Sequence, residues 1–303
     1  YIVNPSTGVA TAQGSGTLNL DLGTNRPISF DFNPAVDRIR VIGANGNNYR
    51  LNPLNGSLAA TDGQIKYATG DANEGKIPSV VAAAYTNSYL ASSSTSLYAY
   101  DAFSNVLALQ NPPNDGILNT IGGSGLNADP SSATFDMDIY YDAENQSNTA
   151  YFTAEQGGSS DKLYTINLQN GQLTELGFIG NGIAISKISV FIDRSFPPNI
   201  TGRLIYGITQ NNYLFSFDSE QPETIRELKL LTGIEAGQML AGADFRPNTG
   251  ELWVLGYNAA TSKARLYTAD LNTGALATAG MAEIDLDLGD GSGIGFDFNP
   301  TVD

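Results

Sequence analysis

Cysteine and histidine are both absent from the 303 residues. Without cysteine there is no disulfide, no thiolate metal site and no cysteine nucleophile. Without histidine there is no Ser-His-Asp triad and no histidine-ligated zinc. Charge is also sparse: charged residues make up 15% of the chain, and Lys and Arg number 15 against 31 Asp and Glu, for a net charge of −16. Such an acidic surface repels phosphate backbones and anionic lipid, so nucleic acid is excluded as an expected partner. No apolar run reaches the length of a membrane span, so membrane insertion is not expected. No Gly-rich phosphate loop of the P-loop or dinucleotide type occurs. A chain lacking both cysteine and histidine fits a secreted or cell-surface protein of a bacterium that does not use disulfides, and this is the expected location. The acidic surface then serves solubility or holds divalent cations.

What is plentiful is glycine, at 33 residues, with hydrophobic residues at 41%. That mixture suits many short strands joined by tight turns, because glycine supplies the positive φ such turns need. Helix is nearly absent from the pattern; a turn near 235–240 is the one modest candidate.

Two segments repeat. Residues 1–37 and 267–303 align without a gap at an offset of 266, with 16 of 37 positions identical, including LDLG and FDFNP. The chain thus holds one long period and a 37-residue overlap, which reads either as a window on a tandem array or as a permuted ring whose ends overlap. On the first reading, residues 1–202 are the C-terminal part of one propeller-type repeat and 203–303 the start of the next. On the second, they are four blades and the closing blade of one ring.

A shorter period lies inside the long one. ISFDFNP carries Asp31, TFDMDIY carries Asp136, GADFRP carries Asp244 and GFDFNP carries Asp297, while VAAAYT (81–86) and KISVFID (187–193) fall where intervening members belong. The spacing gives five units of roughly 53 residues. Each reads as four short strands, most clearly over 240–281. SLYAYDA (96–102) fits either a second or a third strand. A turn signal recurs, with Asn4, Asn52, Asn167 or Asp270 followed four residues later by Gly8, Gly56, Gly171 or Gly274. The expected fold is all-β: a β-propeller of five four-stranded blades, with six or seven as the alternative. The first strand of each blade would line the axis and bring Asp31, Asp136 and Asp244 to a central channel.

The strings FDFNPAVDRIRVIGANGNNYRLNPLNG (30–56), VAAAYTN (81–87), QNPPNDG (110–116) and LAGADFRPNTGELWVLG (240–256) resemble a bacterial family known as domain of unknown function 4394. The resemblance covers nearly the whole chain, with the family's usual order of halves reversed. It implies a secreted or surface protein, sometimes part of a multi-domain chain. It carries over no catalytic residue.

Candidate sites follow from the residues. Asp31, Asn33, Asp37, Arg38 and Arg40 form a polar set that reads either as a ligand site at the ring mouth or as a turn whose Asn and Asp satisfy backbone groups and whose arginines pair with acids. QNPPNDG reads as a rigid connection or a recognition loop. Asp136 and Asp138 share one face of a strand at period two; they suit a channel lining or the paired carboxylates of a glycosidase. Acid-rich loops at Asp71–Glu74, Asp142–Asn145, and Asp285, Asp287 and Asp290 hold oxygen ligands of the kind calcium takes, without the EF-hand or nonapeptide spacing. Calcium is the one cofactor the sequence leaves open. Trp253 and the 15 tyrosines fall mostly at core-like strand positions. The expected function is a non-catalytic structural or interaction module from a tandem array, with protein partners that include other copies of itself. The alternative is a ligand-, glycan- or calcium-binding propeller, and after it a carboxylate-based glycoside hydrolase.

Overall fold

A computed structural model describes the chain except residues 15, 25–27, 127–133, 156–160, 193–199, 291–292 and 302–303. The chain divides into two compact units, Tyr1–Arg194 and Ser195–Asp303.

The first unit begins with a hairpin, β1 (Ile2–Val3) and β2 (Ala10–Thr11). Three antiparallel meanders follow. The first runs β3 (Ser29–Asn33), β4 (Arg38–Ile42), β5 (Asn48–Leu51) and β6 (Leu58–Thr61). A short β7 (Lys66–Tyr67) then joins the next sheet in parallel at its outer edge, on β11. That sheet runs β8 (Val80–Tyr85), β9 (Leu97–Asp101), β10 (Val106–Gln110) and β11 (Ile117–Gly123). The third is β12 (Phe135–Asp142), β13 (Ser147–Glu155), β14 (Asp161–Ile166) and β15 (Leu173–Phe178). The second unit holds a three-stranded sheet and a four-stranded one. These are β16 (Leu204–Ile208), β17 (Tyr213–Asp218) and β18 (Gln221–Leu230), then β19 (Met239–Phe245), β20 (Leu252–Asn258), β21 (Lys263–Ala269) and β22 (Leu276–Asp285).

The all-β expectation holds, and the four-stranded meander is the recurring element. Two details differ from it. One sheet gains β7 as a fifth strand, and β16–β18 has three. The expected first strand at KISVFID forms no ladder over its described residues, because the N–H groups of Ile188 and Val190 are taken by carboxylates instead; Asp193 lies outside the described residues. SLYAYDA supplies a second strand, β9. The turn near 235–240 is not helical; among the described residues the helical element is a 3-10 turn at Pro113–Asp115, inside QNPPNDG.

The recurring turn behaves as its residues dictate. Asn4, Asn52, Asn167 and Asp270 each accept a backbone N–H two residues on. The glycine four residues on donates back to their carbonyls, with φ of 71° at Gly8, 69° at Gly56, 76° at Gly171 and 76° at Gly274. Only glycine takes that φ without strain, so the Asn/Asp-x3-Gly spacing fixes four outer hairpins.

The core of the first unit lies between stacked sheets. β8 reads Val-Val-Ala-Ala-Ala-Tyr, and all six residues are buried. Its small side chains let β3 and β12 approach it from either side. Ala82 and Ala84 face a cluster with Tyr100, Leu107, Phe135, Met137, Ile139 and Phe152. Val80, Ala83 and Tyr85 face the other way, toward Ile42, Leu97 and Leu118. A strand buried on both faces carries no polar alternation, which is why this one reads as a continuous apolar run. Each large side chain so buried contributes roughly 1.5–3 kcal/mol.

Candidate functional site

The FDFNP segment places Asp31 on β3, where its carboxylate meets the neighbouring sheet. Oδ2 accepts the backbone N–H of Tyr85 on β8 at 2.6 Å, and Oδ1 accepts its own neighbour's N–H, that of Phe32, at 2.7 Å. The arrangement recurs. Asp138 on β12 takes Ile139 N–H through Oδ1 and Val190 N–H through Oδ2, at 2.8 and 2.6 Å. Asp136 takes Ile188 N–H at 2.7 Å and the Lys187 Nζ at 3.1 Å. In the second unit Asp244 takes Phe245 N–H at 2.8 Å and Phe298 N–H at 2.9 Å. Asp31, Asp136, Asp138 and Asp244 therefore each reach 52 to 54 residues ahead and cap the backbone of the next repeat's inner segment. We call this contact a clasp.

Asp31, Asn33, Asp37 and Asp138 also line one cavity of about 370 Å³, together with Tyr89 and Tyr141. The two tyrosine rings lie 4.5 Å apart at 38°. Among the described residues, no lysine or arginine lines it. Burial pushes the Asp31 carboxyl up to about 8; the Asp138 and Asp136 charges act in the same direction, against the Tyr85 and Phe32 N–H bonds. Burial raises Asp138 as well, with Asp136 adding to it and the Val190 and Ile139 N–H groups opposing. An acid kept neutral can donate a hydrogen bond where an ionised one only accepts.

The other sequence candidates sit elsewhere. Asn33 Oδ1 accepts Ala35 and Val36 N–H, and so starts the turn after β3. Asp37 completes it at φ 47°. Arg38 donates to the Asp37 carbonyl at 2.7 Å. Arg40, two residues on, is 2% exposed and engages four groups: Asp62 at 2.5 Å, Asn48 at 2.8 Å, Asn114 at 2.8 Å and the Tyr85 hydroxyl at 3.1 Å. Asn114 belongs to QNPPNDG, so that loop is anchored to the first meander through Arg40. Asp285 pairs with Lys263 at 2.5 Å, Asp287 accepts Gly289 N–H at 3.3 Å, and Asp290 is exposed near them. Among the described residues, no three acidic side chains come together in a way that could hold a metal ion. Tyr85, Tyr89, Tyr141 and Val190 were not singled out by the sequence reading. The one signal for Tyr85 and Val190 is their fixed distance from Asp31 and Asp138.

The model of one protein family, described as a domain of unknown function (DUF4394), matches residues 1–189 and 213–303. The chain belongs to the DUF4394 family. No curated protein matches it. Solved structures similar to this DUF4394 chain include the Dos1 propeller, 16% identical, with a TM-score of 0.32 over 83% of this chain and 58% of that one. Hydrazine synthase of Kuenenia stuttgartiensis is 11% identical, with a TM-score of 0.32 over 89% of this chain and 69% of the other. The C-terminal WD40 domain of Sif2 is 9% identical, with a TM-score of 0.26 over 83% and 58%. The chain thus spans a little over half the length of the Dos1 and Sif2 structures.

Proposed function

We propose that this DUF4394 chain is a non-catalytic structural and interaction module of the β-propeller type, drawn from a tandem array on the bacterial surface or outside the cell, whose partners are proteins that include copies of its own repeats. The observation that carries this reading is the clasp. The carboxylates best placed for chemistry, Asp31, Asp136, Asp138 and Asp244, are each bonded to backbone N–H groups of a following repeat. A carboxylate engaged in this way holds chain to chain and is poorly placed as a nucleophile or general base. A contact that recurs at a spacing near 53 residues, from one inner segment to the next, is consistent with a ring of five blades.

The cavity favours a second reading, in which a small neutral polar ligand such as a glycan binds there. Tyr89 and Tyr141 would supply the stacking surface, and Asn33, Asp31 and Asp138 the hydrogen bonds. Calorimetric titration with neutral oligosaccharides tests it, and the absence of heat rejects it.

The test of the main reading is the intact mass and native assembly size of the protein taken from its source, by mass spectrometry and light scattering. A chain containing further repeats, or a homopolymer, supports the module. A lone monomeric ring of this length rejects the array and leaves the ligand reading to be pursued.

A further inference from the structure

Without cysteine the chain cannot tie one sheet to another by a disulfide. Tyrosine offers a second cross-linking chemistry, and one pair of tyrosines has the geometry for it. Tyr89 lies in the turn that follows β8, and Tyr141 lies near the end of β12, so the two belong to neighbouring sheets. Their ring centroids are 4.5 Å apart and their planes 38° apart. That is the close limit for an aromatic pair, and it brings carbons of the two rings into van der Waals contact. Both residues are half-buried, and both line the cavity of about 370 Å³. A small oxidant in that cavity meets both rings. Other tyrosines of the same unit are committed to the core: the hydroxyls of Tyr67, Tyr85 and Tyr100 engage Asp101, Arg40 and Ser124.

The pair is held in place by a clamp. Asn148 Nδ2 donates to Asn87 Oδ1 at 2.9 Å, and Asn148 Oδ1 accepts the Asn87 backbone N–H at 2.8 Å. Asn148 is the direct ladder partner of Tyr141 across β12 and β13. Asn87 precedes Tyr89 by two residues. The two amides thus fix the start of the turn against the strands that carry Tyr141. Within the turn, the Tyr89 N–H donates to the Asn87 carbonyl at 2.8 Å, and the Tyr89 carbonyl accepts the Ser92 N–H at 3.3 Å. Asn87 and Ala91, two residues to either side, take φ of 59° and 60°, the left-handed backbone that reverses the chain around Tyr89.

The hydroxyl ends are close as well. Burial raises the Tyr141 phenol most, and Tyr89 is the next group that raises it, ahead of Asp142. A tyrosyl radical reacts at the ring carbons ortho to its oxygen, so neighbouring hydroxyl ends bring neighbouring reactive carbons.

We propose that Tyr89 and Tyr141 form an oxidative cross-linking site, at which a one-electron oxidant joins their rings as a dityrosine and ties the β8 sheet to the β12 sheet. Two equivalents of oxidant are reduced. Each takes one electron from one phenol, and the hydroxyl proton passes to water. The two phenoxyl radicals join by one carbon–carbon bond between ortho positions. Each ortho hydrogen then moves by way of solvent to its own ring oxygen, which restores both phenols. The product is the chain less two hydrogen atoms. The link spans 52 residues, as the Asp136 and Asp138 clasps do, and makes a covalent tie where those are hydrogen bonds. Closing a loop of that length removes conformational entropy from the unfolded chain. The site lies wholly within the first unit and is independent of the array reading.

The test illuminates the dilute chain with a ruthenium tris-bipyridine complex and persulfate, a source of one-electron oxidant. The monomer fraction is then mapped by proteolysis and mass spectrometry. A peptide containing Tyr89 should be joined to one containing Tyr141, two hydrogens lighter than their sum and with dityrosine fluorescence. Tyr89→Phe and Tyr141→Phe keep the rings and should each lower intramolecular dityrosine about tenfold. Asn148→Ala leaves both tyrosines and should lower the yield of the same link by loosening the clamp. The linked chain should melt above the unlinked one. Dityrosine formed only between chains, or only at other tyrosines such as Tyr140 or Tyr151, overturns the proposal, and the mapping of the unsubstituted chain decides this without any variant. A Tyr89–Tyr141 link that leaves the melting temperature unchanged overturns the tie between sheets.

Discussion

Asp31 and Tyr85 are joined by a single hydrogen bond of 2.6 Å from the Tyr85 backbone N–H to Oδ2, and the hydroxyl of the same tyrosine accepts Arg40 Nε at 3.1 Å. Two residues of the FDFNPAVDRIR motif thus hold the backbone and the side chain of one residue on the next sheet. Asp31 and Arg40 face each other across the β3–β4 ladder, so the motif grips β8 from adjacent strands.

Removing Arg40 should be among the most damaging single changes. The side chain is 2% exposed, and its loss strands Asn114 and the Tyr85 hydroxyl and leaves Asp62 to Arg50 alone. Arg40→Met is expected to cost about 3–5 kcal/mol in urea unfolding, the usual cost of breaking a buried ion pair by removing one partner. Arg40→Lys restores charge without the planar fork and should recover only part of it. Arg38→Ala, which gives up one bond to a backbone carbonyl, should stay within about 0.5 kcal/mol.

The pH dependence carries a sign. Asp31 has a folded-state value near 8, above its ordinary 3.8. The folded state therefore holds the proton more tightly than the unfolded chain. The stability Asp31 contributes is complete below about 4 and is lost as pH rises through about 8. Asp138, facing the same cavity and also raised, acts in the same direction. Melting temperatures of the wild type and Asp31→Asn between pH 5 and 9 check this. The wild type should lose ground to the variant as pH rises; a gain would contradict it.

Glycine at the outer turns offers a paired comparison. Gly8 and Gly171 have nearly the same φ, but a Cβ at Gly8 meets open space and one at Gly171 meets the Gly122 carbonyl. Gly8→Ala should cost about 1 kcal/mol, from φ alone. Gly171→Ala should cost more, since the backbone of β11 must move as well. Equal costs in urea unfolding would show that the close approach to β11 adds nothing.

Much of the fold was legible because it is written in local chemistry. The Asn/Asp-x3-Gly spacing marked four hairpins, and the LDLG and FDFNP repeats marked equivalent positions in the two units. The all-apolar β8 was recognisable as an inner strand despite lacking the aspartate of its relatives. The candidate site was half legible. Asp31, Asn33, Asp37 and Asp138 do meet at one cavity, but nothing local in the sequence says that an aspartate's oxygen will be met by a backbone N–H some 53 residues away. The same non-local bond explains why KISVFID reads as a strand: its alternation is that of an inner segment, yet its N–H groups face carboxylates rather than a neighbouring ladder. The central place of Arg40 was hidden for the same reason, since its partners lie as far off as Tyr85 and Asn114.

The clasp is tested most directly by the double substitution Asp136→Asn and Asp138→Asn, measured by urea unfolding together with hydrogen exchange at Ile188 and Val190. Each amide in place of a carboxylate keeps one acceptor oxygen and turns a donor toward a donor: toward a backbone N–H at Asp138, and toward the Ile188 N–H or the Lys187 ammonium at Asp136. The account predicts a loss of about 2 kcal/mol or more, with faster exchange at both amides. Unchanged stability and unchanged exchange, with loss of a binding or hydrolytic activity, would contradict it and return these carboxylates to chemistry.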